Sequence, residues 1–202
     1  MKRLCIAVLV IFLLVPLAYA EDLTSKDIFE LYPAKKVVGV FLEAPVVFLN
    51  NEAVHVLIPE KAAEMFSKNR FKLLPFDQTE RTMRTYKEDN RMIMNQYASM
   101  PLNRADFQTI CKDLGADYAL AISVTNGVPR ASSALFVVTF KASITCDVRL
   151  LDINTGEYVI SKQIVKDGTS SGTAFGMPSF DHAYNEALRM ALDELTMETL
   201  KL

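Results

Sequence analysis

Histidine is almost absent from this chain. His55 and His182 are the only two in 202 residues. They stand far apart, with no Cys or second His at ligand spacing, so the sequence gives no metal centre and two surface histidines are expected. Cysteine is nearly as scarce, with three residues in all. Neither Cys111 nor Cys146 has a His or a basic neighbour in sequence to activate a thiolate, which argues against a catalytic thiol. Two buried free thiols are the plainer expectation, and a Cys111–Cys146 bridge stays open for an exported protein. The phosphate-loop pattern GxxxxGK[ST] is missing: Thr169-Ser170-Ser171-Gly172 has no following Lys. Ser170 and Ser171 also lack the strand–elbow–helix setting of a serine nucleophile. Asp147, Asp152 and Glu157 do cluster. However, Asp147 falls on the polar side of a strand and Asp152 at a turn, so solvated or turn-forming roles are expected rather than acid–base work. No residue is therefore assigned a catalytic, cofactor-binding or metal-binding role, and no cofactor is expected.

Basic excess is lacking too. The full chain has 22 Lys+Arg against 24 Asp+Glu, which leaves no footprint for nucleic acid. There is no Gly/Ser linker, low-complexity run or internal repeat. After residue 20 no apolar run is long enough to cross a bilayer as a helix.

What is present begins with a leader. Lys2 and Arg3 precede an apolar run from Ile6 to Leu17, and Ala18-Tyr19-Ala20 offers the small residues of a cleavage site before Glu21. Residues 1–20 read as a signal peptide, cleaved at Ala20-Glu21. The position after the site is Glu21, and Cys5 lies too early to carry a lipid, so a soluble periplasmic or secreted protein is expected. Cleavage removes Lys2 and Arg3 and no acid, leaving 20 basic against 24 acidic residues and changing the formal charge from −2 to −4. Residues 21–35 read as an N-terminal arm. The remainder, 36–202, suits one domain with one core.

The chain's organising stretch runs from Ser143 to Lys166. Ile144, Cys146, Val148 and Leu150 alternate with Thr145, Asp147 and Arg149, as in a strand with one buried face. Asp152 to Gly156 supplies a turn, and Tyr158 to Val165 returns as a second strand. Upstream, Lys36–Leu42 reads as a strand buried on both faces, with apolar Val46–Phe48 continuing beyond a bend at Pro45. Pro59 is placed in the first turn of a helix over Glu60–Asn69. Phe71–Phe76 reads as a strand. Asp77 with Glu80 predicts a capping box opening a helix over Gln78–Tyr97. Asn103 and Asp106 open another helix, which Gly115 ends, and Ala116–Val124 is a strand. Val128–Ser133 reads as a loop, Leu135–Phe140 as the lead into the hairpin, and Asp167–Pro178 as a flexible loop. Ser179 caps a last helix with Ala183, Ala187, Met190, Ala191 and Leu195 on its buried stripe. The order β-α-β-α-α-β-β-β-α predicts a single α/β (α+β) domain: a mixed, mostly antiparallel sheet with helices packed on it.

Leu114-Gly115-Ala116-Asp117-Tyr118-Ala119-Leu120 resembles the strand entry of CsgG-like envelope proteins. Val148–Asp152 with Asn154-Thr155-Gly156-Glu157 resembles their hairpin, and Ala187–Leu195 their closing helix. That group includes the curli secretion pore and the lipoprotein activators of penicillin-binding proteins. The resemblance implies an α/β domain that works by protein–protein contact at the envelope, without enzyme activity. The missing lipid-anchor Cys, the short chain and the lack of an aromatic girdle in the segment before the hairpin argue against a pore. The expectation is an exported accessory or adaptor in envelope assembly or secretion, with another envelope protein as partner and self-association left open. The alternative is a periplasmic binding module for a small ligand or glycan. Recognition would fall to the Gln78–Tyr97 helix with its Met83, Met92 and Met94, to the open hairpin face, or to a sheet edge.

Overall fold

The apolar run at Val37–Leu42 becomes β1 (Lys36–Glu43), with Val38, Val40, Phe41 and Leu42 all buried. A strand so apolar needs cover on both faces. The computed structural model describes residues 34–95, 98–134, 137–172 and 178–199. The expected leader and nearly all of the arm lie outside these. From Lys36 onward the chain forms one compact unit.

On either side of β1 run β2 (Phe71–Leu73) and β5 (Tyr118–Asn126), both parallel to it. Antiparallel to β5 lies the long β7 (Val137–Asp152), whose first residues pair instead with β6 (Arg130–Ala134). The other edge of β7 carries β8 (Tyr158–Gly172) along nearly its whole length. Two further strands, β3 (Ile93–Asn95) and β4 (Ala98–Ser99), form a small hairpin apart from this sheet.

Helices fill both sides. On one face, Val38, Val40 and Leu42 join Ile122, Ile144, Cys146, Val148 and Leu150 beneath α1 (Val46–Leu49), α2 (Glu52–Met65) and α5 (Phe180–Thr199). The Ala183, Ala187 and Ala191 stripe brings α5 close. A Cβ on Gly168 of β8 would sit 1.9 Å from the Ala183 carbonyl oxygen. On the other face, Phe41, Ala119 and Leu151 meet Met83 of α3 (Phe76–Asp89) and Phe107, Ile110 and Cys111 of α4 (Arg104–Leu114). The buried Thr79 hydroxyl of α3 donates to the Val40 carbonyl at 2.6 Å and fastens that helix to β1. This second layer covers β1, β5 and the Leu151 end of β7. Beyond it Arg149, Val159, Gln163 and Val165 stand exposed on an open sheet face.

The mixed, mostly antiparallel sheet with packed helices is the fold class read from sequence. Several local readings also stand. Asn103 and Asp106 form a reciprocal capping box, and Gly115 closes α4 at φ 65°. The Asp152 carboxylate accepts from Asn154 and Thr155, and Gly156 takes φ 73°, which closes the β7–β8 turn. The Ser179 hydroxyl accepts from the His182 N–H at the start of α5.

Other readings are corrected. Val46–Phe48 is a helical turn, because the Pro45 carbonyl already accepts the Phe48 and Leu49 N–H groups. Helix α2 starts at Glu52, where the Asn51 side chain caps Ala53, so Pro59 lies inside it. No side chain caps α3; Pro75 precedes it, and Asp77 instead pairs with Arg81 on the surface. That helix stops at Asp89, where the Asn90 side chain bonds the Tyr86 carbonyl and Arg91 turns the chain at φ 55°. The expected end, Tyr97, lies outside the described residues. Residues 130–134 are strand β6 rather than loop. The strand β8 runs to Gly172, so the expected loop from Asp167 is strand over its described part; 173–177 lie outside. The expected start of the hairpin lead at Leu135 also lies outside.

Candidate functional site

The chain leaves β1 for β2 through α1 and α2 on one face of the sheet. It returns from β2 to β5 through α3 and α4 on the other. The connections therefore diverge between β1 and β5, and the carboxyl ends of such strands open a crevice. Here Leu42, Glu43, Ser123 and Val124 floor a cleft of about 660 Å³. Pro45, Val46, Leu49, Asn50 and His55 form one wall, and Glu80, Met83, Arg84 and Lys87 of α3 another. Ile93, Asn95, Ala98 and Ser99 of the β3–β4 hairpin, with Pro101, complete the rim.

Two ionic pairs stand in these walls. Lys87 Nζ lies 2.6 Å from Glu43 Oε1, with the side chains only 8% and 14% exposed. Lys87 also donates to Ser99 Oγ at 3.1 Å, and Glu43 Oε1 accepts the Leu102 N–H at 3.0 Å. The pair thus ties β1, α3 and the hairpin together. Withdrawing two charges from water is costly unless their remaining hydrogen-bonding groups are met, and these extra bonds meet much of that need.

In the second pair, His55 Nε2 lies 2.6 Å from the Leu49 carbonyl. A carbonyl only accepts, so Nε2 carries a hydrogen. Its Nδ1 then faces Glu80 Oε2 at 3.2 Å. Burial pushes the Glu80 carboxyl above its usual range, while the charges of His55 and Arg84 pull it back. The cleft can therefore offer the His55–Glu80 pair, the Arg84 guanidinium, and the amide and hydroxyl groups of Asn50, Asn95, Ser99 and Ser123. No Phe, Tyr or Trp lines it among the described residues.

None of this was legible as a motif. The polar members come from β1, α2, α3, β3, β4 and β5, with Asn50 between α1 and α2, and gather only through the sheet crossover. A single sequence signal existed: Glu43, a charge closing an otherwise apolar strand. His55, expected on the surface, is half-buried in the cleft wall; His182 is exposed on α5. Among the described residues no group of three or more His, Cys, Asp or Glu could hold a metal. The Asp147 carboxylate accepts from Gln163 on the open face, far in register from the turn that Asp152 builds. Cys111 and Cys146 are free and buried in different clusters on opposite faces of the sheet, which removes the bridge. Burial pushes each thiol up to about 12. Thr169 and Ser171 belong to β8, where Thr139 and Ser171 hydroxyls share a hydrogen bond. Of the expected recognition methionines, Met83 lines the cleft, Met92 packs on the second cluster, and Met94 is 67% exposed on the hairpin, with Met100 just beyond it at 49%. No helix among the described residues is long and apolar enough to cross a membrane.

No family model matches this chain, and no curated protein matches it. Among solved structures it is similar to the lipoprotein GNA1162 from Neisseria meningitidis, at 16% identity and TM-score 0.37, over 83% of this chain and 96% of that one. It is also similar to the LpoB C-terminal domain from Escherichia coli, at 17% identity and TM-score 0.33, over 64% and 81%. A neuraminyllactose-binding hemagglutinin homolog from Helicobacter pylori is similar at 12% identity and TM-score 0.40, over 84% and 86%.

Proposed function

We propose that this protein is an exported, non-enzymatic accessory of the cell envelope that works by binding another envelope protein through the cleft and its hairpin rim. One observation carries the reading. The segment after α3, expected as helix, is a separate hairpin that brings Ile93 to the cleft, with Met94 and Met100 beside it. These residues are 42%, 67% and 49% exposed. Flexible, polarisable methionine side chains suit a surface that must fit a partner chain. Exposed apolar groups beside a polar-walled crevice mark an interaction site more often than a catalytic one.

The test is chemical cross-linking of the exported protein in its own envelope fraction, alongside the variants Met94→Asp and Met100→Asp. Both positions are exposed, so folding is retained. One dominant cross-linked partner, lost in both variants, is the expected result. A partner captured equally well by the variants would refute the assignment of the site.

A second reading, a binding module for a small ligand, is favoured by the convergence of Asn50, His55, Glu80, Arg84 and Ser123 on one crevice. A glycan is the weaker choice within it, since the described lining offers no aromatic ring to lie against a sugar face. A discrete small molecule retained in native mass spectrometry, with no protein partner captured, would move the assignment to this class.

A further inference from the structure

We infer that the outer edge of β8 is a self-recognition surface, on which a second copy of this chain pairs antiparallel about a two-fold axis at Lys162. Among the described strands only β7 pairs with β8, so β8 is an edge strand, 15 residues long. Which of its backbone groups face outward follows from three observations. The register of β7 on β8 is continuous from Val138–Gly172 to Leu150–Ile160. The Ser143 carbonyl accepts from Gly127 on the opposite edge of β7. The Thr169 N–H is turned outward, to Glu186 of α5, at 2.7 Å. Backbone groups alternate sides along a strand. Even-numbered residues of β8 therefore bond β7, and Ser161, Gln163 and Val165 present their N–H and C=O groups to the outside.

The sequence of that open stretch is close to a palindrome. Reading outward from Lys162, Ser161 matches Gln163, Ile160 matches Ile164, and Val159 matches Val165. A two-fold interface must be self-complementary, with residue i meeting j and j meeting i. Pairing about Lys162 brings the outward-facing Ser161 opposite Gln163, and Val159 opposite Val165, of the other copy. The parity of the backbone groups at Ser161, Gln163 and Val165 fits this register, while Val159 stands at the bulge where β8 has one residue more than β7. The two valines are 50% and 62% exposed in the single chain, and each would gain an apolar cross-strand neighbour.

The protected part of the edge agrees. Glu186 caps the strand at Thr169, which in this register falls opposite the other copy's Asp152–Glu157 turn, past the end of its strand. The chain thus blocks its edge just where a second copy could not pair. Lys162 meets its own symmetry mate, a like-charge contact. Glu194 lies 3.5 Å from Lys162 and also pairs with Lys166, so two carboxylates flank the two lysines.

The full-length chain, purified after export, is tested by sedimentation equilibrium at the highest concentration it tolerates. The expected mass is twice that of the chain. Gln163→Pro removes an outward N–H that β7 does not use, a substitution an edge strand accepts. It should return the monomer mass. Val165→Glu, at an exposed position, should do the same should the proline variant fail to fold. Lys162→Cys should form a disulfide-linked dimer on mild oxidation, since facing residues at a non-hydrogen-bonded antiparallel site lie about 4.5 Å apart at Cα. Ser171→Cys, past the capped residue, should not. A monomer at all concentrations would overturn the inference. So would a dimer that survives both Gln163→Pro and Val165→Glu, or one in which Lys162→Cys stays unlinked.

Discussion

Two glycines show how differently the same residue can matter. Gly168 is fixed by space: an added Cβ would meet Ala183 O at 1.9 Å and Ala187 N at 2.7 Å, both backbone atoms of α5 that cannot swing aside. Gly115 is fixed by conformation: φ is +65°, yet nothing lies within 4 Å of a Cβ built there. Gly115→Ala should cost about 1 kcal/mol, the strain of a side chain in the left-handed region. Gly168→Ala should cost about 3 kcal/mol or more, because a packed helix must lift from the sheet. Urea unfolding of both variants checks the order, and equal costs would contradict the close approach of α5. The two thiols give a pH prediction. Each rises from an ordinary value of 9.0 to about 12 through burial. Below pH 9 both states keep the proton and stability is unaffected. Above it the unfolded chain ionises while the native chain does not, so stability falls toward pH 12 by on the order of 1 kcal/mol per pH unit for each thiol. Unfolding free energies measured across that window should fall less steeply in a Cys111→Ala, Cys146→Ala double variant.

At the scale of elements, Pro59 sits in the interior of α2. It has no N–H to give to the His55 carbonyl one turn earlier, and an interior proline costs a helix about 3 kcal/mol against alanine. Part of that is recovered because proline also restricts the unfolded chain. Pro59→Ala should therefore stabilise the protein by about 2 kcal/mol, read as a raised melting temperature. An unchanged or lowered melting temperature would mean that the helix is already bent to suit the cleft wall at His55. The same element shows where sequence reading works and where it fails. Period-two alternation in β7 and the three-and-four spacing of α4 report burial directly, because one face of each meets one core. The Asn103 cap and Gly115 are local chemistry and were legible for that reason. Helix α2 was placed too late because proline is usual in a first turn and the Asn51 cap lies eight residues before it. Helix α3 was drawn too long because nothing like Gly or Pro marks its end. The stop is made by Asn90, by Arg91 in an unusual conformation, and by the pull of Ser99 toward Lys87, a contact that exists only after folding.

At the scale of the molecule, two unequal cores lie on opposite faces of one sheet, and the cleft opens where the helices that cover them part. Its charged groups, Glu43 with Lys87 and His55 with Glu80, are separated in sequence by 44 and 25 positions, and no local pattern could have paired them. Stability should be distributed in the same uneven way. Strands β1, β5 and β7 are paired on both edges and carry much of the core, whereas the β3–β4 hairpin joins no other strand among the described residues and its own described residues are exposed. Local opening draws on buried contacts and shielded hydrogen bonds, and the hairpin's chief ties to the body are the bond from Lys87 to Ser99 and the Leu102 N–H to Glu43. Hydrogen–deuterium exchange should therefore show Ile93–Asn95 and Ala98–Met100 exchanging fast, with β5 and β7 exchanging only through global unfolding. In Lys87→Met the hairpin loses one of these ties, and its exchange should quicken further while that of β5 keeps its rank. A partner seated on the cleft rim should reverse the pattern, slowing the hairpin and leaving the sheet unchanged. Hairpin amides as slow as those of β5 in the isolated protein would show that the rim is already a rigid part of the core, and would remove the adaptable surface on which partner binding depends.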